Sequence, residues 1–424
     1  MSNEPPRRPG PAGVPVALVI LLGAALLINY ADRGTVSVAG PSLRAEWQLD
    51  KDQLGWLLSA FFWGYVPAQP LVGWLADRVG AARVLAAGFC VWSLATFLCG
   101  WSWTPLSLAA LRVVMGVGES VTYPSALALL AQRVSDRYRA RATSVLQLGG
   151  VAGPALGTFL GGWILVLYGW RTMFVSLGLL SLLWLIPWRR QLAQPAQPAP
   201  VPGAQGEGPT FPQIIAKRAL WTATLGNFCS NYAFYFVFTW LPMYLVEARS
   251  YSLASMVSVT TAFYVLDGLG LLATGWALDA WVRRGASADR AYRTALAVSA
   301  AGVGACLILC ARAGPAAAVA LLLVAGVLDG LNSPSVCSVV QRFAGPRATG
   351  RWMGVENAIA NVAGILAPIV TGYIVQATGR YEPALYVAGG VALVGLVTWL
   401  FLVPRIEPID WSLRRERSEL AAGP

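Results

Sequence analysis

Arg112 and Glu119 stand seven residues apart in the apolar run Leu111-Arg112-Val113-Val114-Met115-Gly116-Val117-Gly118-Glu119. In an α-helix seven residues make two turns, so both side chains leave the same face. The surrounding stretch, 106–130, is long enough to cross a bilayer. A charge at that depth costs several kcal/mol unless it meets a partner or a water-filled cavity, and such residues mark substrate or proton pathways. A second acid–base pair, Asp32 and Arg33, lies in the first apolar stretch. The chain has no histidine. A proton carried by a side chain near neutral pH must therefore ride on a carboxylate.

These residues are held by spans. The chain of 424 residues is 56% hydrophobic and 12% charged, against about 25% charged in a soluble protein. Twelve apolar windows of span length run from 14–40 to 383–403. The first has signal-peptide features, but it is long, contains Asp32 and Arg33, and has no small-residue cleavage site, so it reads as a retained span. The net charge of +11 is not a nucleic-acid footprint, because the charges are sorted by side. With the N-terminus inside, cytoplasmic loops and tails take Arg7, Arg8, Arg78, Arg83 and clusters such as Arg133/Arg137/Arg139/Arg141. The opposite face takes only Arg44, Lys51, Arg171, Arg249, Arg312 and Arg380. By the positive-inside rule both termini are cytoplasmic. The six cysteines fall in apolar spans without a metal-ligand pattern and read as small packing residues. No nucleophile–base set, phosphate-binding loop or metal cluster points to an enzyme. Arginine far outnumbers the two lysines, as in GC-rich bacterial genomes, which places the chain in a bacterial cytoplasmic (inner) membrane.

The Pro-rich run Gln191–Gln213 is the one long polar interruption, and the halves on either side repeat. At an offset of 202, Asn29-Tyr30-Ala31 recurs as Asn231-Tyr232-Ala233, and Gly73-Trp74 with Asp77 as Gly275-Trp276 with Asp279. At an offset of 210, Gly116 matches Gly326, Pro124-Ser125 matches Pro334-Ser335, and Glu119 matches Asp329. Tyr65 matches Asp267 at the first offset. The expected organisation is a cytoplasmic tail (1–13), a six-helix bundle (14–190), a cytoplasmic linker (191–218), a second six-helix bundle (219–404) and a cytoplasmic tail (405–424). The fold class is an all-α membrane protein, with twelve transmembrane helices in two pseudo-symmetric bundles around a central cavity, a known plan for transporters. Gly149, Gly153, Gly157 and Gly161 form a smooth stripe expected to admit a neighbouring helix closely.

The segment Gly73-Trp74-Leu75-Ala76-Asp77-Arg78-Val79-Gly80-Ala81-Ala82-Arg83 resembles the loop signature of the major facilitator superfamily. Within it the chain is similar to the anion:cation symporters, on Asn29-Tyr30-Ala31-Asp32-Arg33, on Ser59 to Tyr65, on Arg112 to Glu119 and on Phe238 to Leu245. Gly354, Asn357, Asn361 and Gly364, and the closing Ile406-Glu407-Pro408-Ile409, add to it. The resemblance implies a cytoplasmic latch made by Asp77, Arg78 and Arg83. It implies proton coupling by Asp32 and Glu119, either anion binding or regulation of the nearby acid by Arg112, and a pocket lined by Tyr30, Tyr65, Gln147 and Asn357. Asp267 and Asp329 depart from the pattern, where neutral pocket residues are expected, and Glu356 adds an acid beside Asn357.

Chemically, Arg112 offers a planar fork to a carboxylate, Arg33 is a second cation, and tyrosine hydroxyls and amides suit a polyol. The expectation is that Glu119 pairs with Arg112 when the site is empty, and that protonating Glu119 frees the arginine for the anion. Asp32 would then be a second proton site acting through Arg33. For Asp267 and Asp329 three readings stand: further proton or cation sites, contact with an amine-bearing substrate, or a hydrogen-bonded structural role. The leading function is proton-coupled uptake of an organic acid anion, with a sugar acid (hexonate, hexuronate or aldarate) favoured. The alternatives are proton-linked export of a lysolipid or drug-like amphiphile, and a non-transporting membrane sensor. No cofactor is expected beyond the coupling protons, and no metal. The expected partners are the organic anion and the lipid bilayer, with the chain working as a monomer and binding no nucleic acid.

Overall fold

The computed structural model describes residues 15–134, 136–193 and 209–411, and among them every regular element is helical. The expected N-terminal tail 1–13, most of the linker, and the C-terminal tail from 412 onward lie outside the described residues. By contacts the chain divides into two compact units, Met1–Leu43 with Trp63–Val201, and Arg44–Phe62 with Pro202–Pro424.

The helices of the first half are α1 (Val16–Arg33), α2 (Thr35–Trp47), α3 (Lys51–Val79), α4 (Ala81–Cys99), α5 (Pro105–Glu119), α6 (Thr122–Arg133), α7 (Asp136–Leu182) and α8 (Leu185–Leu192). Those of the second are α9 (Phe211–Ile215), α10 (Arg218–Met243), α11 (Leu253–Arg283), α12 (Ala288–Cys310), α13 (Pro315–Asp329), α14 (Asn332–Ala360), α15 (Ala363–Thr378) and α16 (Glu382–Val397). Among the described residues, nine helical stretches are long and apolar enough to cross a membrane. One of them, Ala142–Leu192, has 51 residues, about twice the roughly 20 that a bilayer core needs. It bends at Gly169, whose φ of 84° favours glycine, and so supplies two spans. With α3 (29 residues) and α10 (26 residues), also of spanning length, the described residues supply twelve helices long enough to span.

In the first unit α1 lies along α7, and the glycine stripe decides how closely. A Cβ at Gly149 would sit 2.1 Å from the Gly23 carbonyl oxygen, and one at Gly157 2.5 Å from the Ala31 Cα. The stripe lets α1 seat its backbone directly on α7, which sets the depth of Tyr30, Asp32 and Arg33. Gly161, at its end, faces Met173 and Leu177 instead. Tryptophans lock the other side. Trp184 stacks on Phe89 and Trp188 at 4.1 and 4.6 Å, and its indole N–H donates to the Leu21 carbonyl at 2.9 Å. Of the expected latch, Arg78 closes α3 and Arg83 opens α4, both exposed; the Asp77 side chain is outside the described residues.

The second unit has a core around Leu220, Leu296, Phe343, Trp352, Trp399 and Ile406. It also takes in Arg44–Phe62, which leaves the division inside α3. That segment is tied by polar contacts at one end: the Lys51 backbone N–H donates to Gln376 at 3.0 Å and the Trp56 indole to the Tyr373 hydroxyl at 3.3 Å. The Glu247 carboxylate accepts from Arg44 at 2.9 Å, from the Tyr381 hydroxyl at 2.7 Å, and from Lys51. The closing Ile406–Ile409 motif is strapped to the unit. Arg293 donates to Asp289 and to the Val403 and Pro404 carbonyls, and Asp289 accepts the Ile406 N–H at 2.8 Å. The repeat is visible in the element ends. α5 and α13 both open on proline and close on an acid, 210 residues apart, and α6 and α14 start three residues later.

Candidate functional site

The buried charges of the first unit gather where α1, α3, α5 and the far end of α7 meet. α5 begins at a capping box, Thr104 with Ser107, followed by Pro105, and ends at Glu119. Arg112 and Glu119 are each 1% exposed, as is Asp32, and Arg33 is 4% exposed. Four formal charges without bulk water need mutual compensation, and two acids with two arginines supply it.

Spacing alone makes Arg112 the expected partner of Glu119; the structure pairs Glu119 with Arg33 instead. Arg33 Nε and Nη2 each donate to Glu119 Oε2 at 3.3 Å. The physical reason is the helix rise: seven residues separate positions by about 10.5 Å along the axis, whereas α1 passes close beside the end of α5. Arg112 turns elsewhere, donating through Nη2 to the Arg33 carbonyl at 3.2 Å and through Nη1 to the Met115 sulfur at 3.2 Å. It thus holds the backbone that carries the partner of Glu119.

The Arg33 guanidinium is also held by Asn29 Oδ1 at 3.1 Å and lies 4.7 Å from the ring centroids of both Tyr30 and Tyr65. Asn29 in turn donates to Thr122 Oγ1 at 3.1 Å. Glu119 is satisfied on one oxygen only: Oε1 is buried with no hydrogen-bond partner among the described residues. Asp32 accepts from the Ser181 hydroxyl at 3.3 Å, and neither arginine bonds its carboxylate, although Arg112 and Glu119 act on it electrostatically.

Tyr30, Asp32, Arg33, Tyr65, Arg112 and Glu119 are therefore brought together. Gln147 is half-buried on α7 and makes no hydrogen bond among the described residues. Asn357 belongs to the second unit, exposed on α14, and accepts from Asn361 Nδ2 at 3.0 Å; Asn361 accepts the Tyr235 hydroxyl at 2.6 Å. Glu356 is 1% exposed and accepts from the Trp352 indole at 2.9 Å and from Asn227 at 3.3 Å, two neutral donors. Ser181, Thr122 and Met115 are site neighbours that motif reasoning passed over. Ser181 had one visible signal, a hydroxyl within an apolar span.

Among the described residues no group of three or more His, Cys, Asp and Glu could hold a metal ion. The arrangement is suited to exchanging a proton and an anion at a shared arginine.

Comparisons with known proteins agree with this fold. The solved D-xylose-proton symporter superposes with a TM-score of 0.73 at 16% identity, covering 92% of this chain and 98% of that one. The chain is 27% identical to the probable galactarate/D-glucarate transporter GudP of Bacillus subtilis (strain 168), over 92% of each. It is 30% identical to the hexuronate transporter of the same organism, over 90% of this chain and 92% of that one. The model of the Major Facilitator Superfamily matches residues 22–288 and 258–422. With twelve membrane helices, a buried charge cluster of transporter chemistry and that match over nearly its whole length, the chain belongs to the Major Facilitator Superfamily and is a transporter, not an enzyme.

Proposed function

We propose that the protein takes up a sugar-acid anion (a hexonate, hexuronate or aldarate) together with protons, by alternating access, in a bacterial inner membrane with both termini cytoplasmic. The observation that carries this reading is the Arg33–Glu119 pair, buried, at 3.3 Å, with the second Glu119 oxygen unpartnered. Protonation at Oε1 removes the charge that engages the guanidinium. Arg33, still steadied by Asn29 and the two tyrosine rings, is then free to take a substrate carboxylate. Tyr30 and Tyr65 hydroxyls suit the polyol, and Arg112 keeps the Arg33 backbone in place. Asp32, bonded to Ser181, is the second proton site. Proton and anion binding are then reciprocally linked, which is what symport requires. The sugar-acid names of both relatives support the substrate class.

The test uses purified protein in liposomes with an imposed inward proton gradient and labelled galactarate, glucuronate or gluconate. Gradient-driven accumulation should occur for at least one acid. In Glu119→Gln, accumulation should vanish while exchange of internal for external substrate persists. Accumulation undiminished in Glu119→Gln would remove Glu119 from coupling. No accumulation or exchange of any acid would return the amphiphile-export reading.

A further inference from the structure

The second half keeps one of the two acids of the first half's charge cluster, has Phe234 in place of Asp32, and loses both arginines. At the repeat offsets, Glu119 corresponds to Asp329, while Arg33 corresponds to Tyr235 and Arg112 to Leu322. Tyr65 corresponds to a further acid, Asp267. Tyr235 spends its hydroxyl on Asn361 and Leu322 is buried, so neither position supplies positive charge.

α11 and α13 cross here at van der Waals contact. A Cβ at Gly330 would lie 2.5 Å from the Asp267 carbonyl oxygen, and one at Gly270 2.4 Å from the Val327 carbonyl oxygen. This crossing brings the two acids close enough to act on one another electrostatically. Neither carboxylate has a hydrogen bond or ion pair among the described residues, and both are only partly covered. Tyr264, one turn before Asp267, is 3% exposed, and both carboxylates act on its hydroxyl. Its ring is fixed against Phe238 and Phe263, yet the hydroxyl has no hydrogen-bond partner among the described residues. One more turn back on the same face, Thr260 is 1% exposed with its Oγ1 unpartnered. Among the described residues the constellation is two carboxylates and two hydroxyls, all oxygen, with no ion pair to a protein cation. Too few carboxylates and no imidazole or thiolate gather for a divalent or transition metal.

We propose that Asp267, Asp329 and Tyr264 form a binding site for a small monovalent cation, a sodium ion or an ammonium group, which supplies the charge that arginine supplies in the other repeat. The site is independent of which anion the transporter carries and of whether Glu119 couples protons.

The experiment is thermal unfolding of the purified full-length protein in detergent, followed by tryptophan fluorescence, at constant ionic strength. Sodium chloride and ethanolamine hydrochloride are each titrated against N-methyl-D-glucamine chloride. The expected result is a saturable rise in Tm with one of the two cations, and which one responds identifies the source of the charge. The rise should be lost in Asp267→Asn and in Asp329→Asn and kept in Glu119→Gln. Tyr264→Phe removes only a hydroxyl and should raise the half-saturating concentration about tenfold, as loss of one hydrogen bond to a charged group predicts. An identical Tm in all three salts for the unmodified protein overturns the proposal. So does a response that survives both aspartate substitutions or is unchanged in Tyr264→Phe.

Discussion

Breaking the Arg33–Glu119 pair should be asymmetric. Both side chains are essentially inaccessible, 5% and 0% exposed, so solvent screening offers little relief. Removing one partner of such a buried pair costs about 3–5 kcal/mol, because the other charge is left uncompensated. In Glu119→Gln an amide oxygen still accepts from Arg33 Nε and Nη2, which returns about 1 kcal/mol. Asn29 and the two tyrosine rings remain, so a cost of about 2–3 kcal/mol is expected. The guanidinium cannot shed its charge, so any change in that cost between pH 5 and 8 reports protonation of Glu119 in the unmodified protein. In Arg33→Gln the stranded group is a carboxylate, which can take up a proton, so its cost should shrink as pH is lowered. The double variant has neither charge and should lie within about 1 kcal/mol of the unmodified protein, since neutral replacement of a buried pair is often tolerated. The assay is a double-mutant cycle on equilibrium unfolding in mixed micelles at two pH values, with a coupling of about 4 kcal/mol expected from the two single costs less that of the double variant. Strictly additive single effects would refute the pairing and with it the exchange mechanism built on it.

Three further outcomes follow from the packing. Gly157→Ala places a methyl group 2.5 Å from the Ala31 Cα; α1 must move off α7, with a loss of about 1–3 kcal/mol by thermal unfolding and impaired uptake, because Asp32 and Arg33 move with it. Glu356→Gln should be nearly neutral, since the amide can accept from Trp352 while a flipped Asn227 accepts its N–H. Glu356→Leu strands both donors and should cost about 2 kcal/mol or more in the same assay. Arg293→Ala removes the donor shared by Asp289, Val403 and Pro404, so limited proteolysis should cut near residues 404–411 sooner, with the helices before it intact.

Much of the architecture is legible in the sequence because it depends on local chemistry. Span length and apolarity must match a bilayer, so the windows from 14–40 to 383–403 anticipate the helices. The repeat offset of 210 anticipates that α5 and α13 end on Glu119 and Asp329. The glycine stripe at intervals of four announces a close neighbour, and α1 is that neighbour. Asp32, Arg33, Arg112 and Glu119 stand out because charge in an apolar span is expensive and has to be compensated.

Which charge compensates which is not local. Periodicity along α5 puts Arg112 and Glu119 on one face, but their contact requires a partner within hydrogen-bond reach. That is set by how deep α1 sits on α7 and by the phase at which it faces α5. Tertiary structure alone therefore gives Glu119 to Arg33 and turns Arg112 to the Arg33 carbonyl. It likewise assigns Ser181 to Asp32 from a span that also carries Thr172 and Ser176, so that its sequence does not single out one hydroxyl, and it joins Arg44–Phe62 to the second unit through contacts hundreds of residues away in sequence, such as Trp56 with Tyr373. The sequence by itself determined the spans, their repeat and the inventory of buried charge, since each follows from the cost of placing a residue type in lipid. The pairing of those charges was decided only by the crossing of helices, because a hydrogen bond is sensitive to fractions of an ångström that residue spacing does not encode.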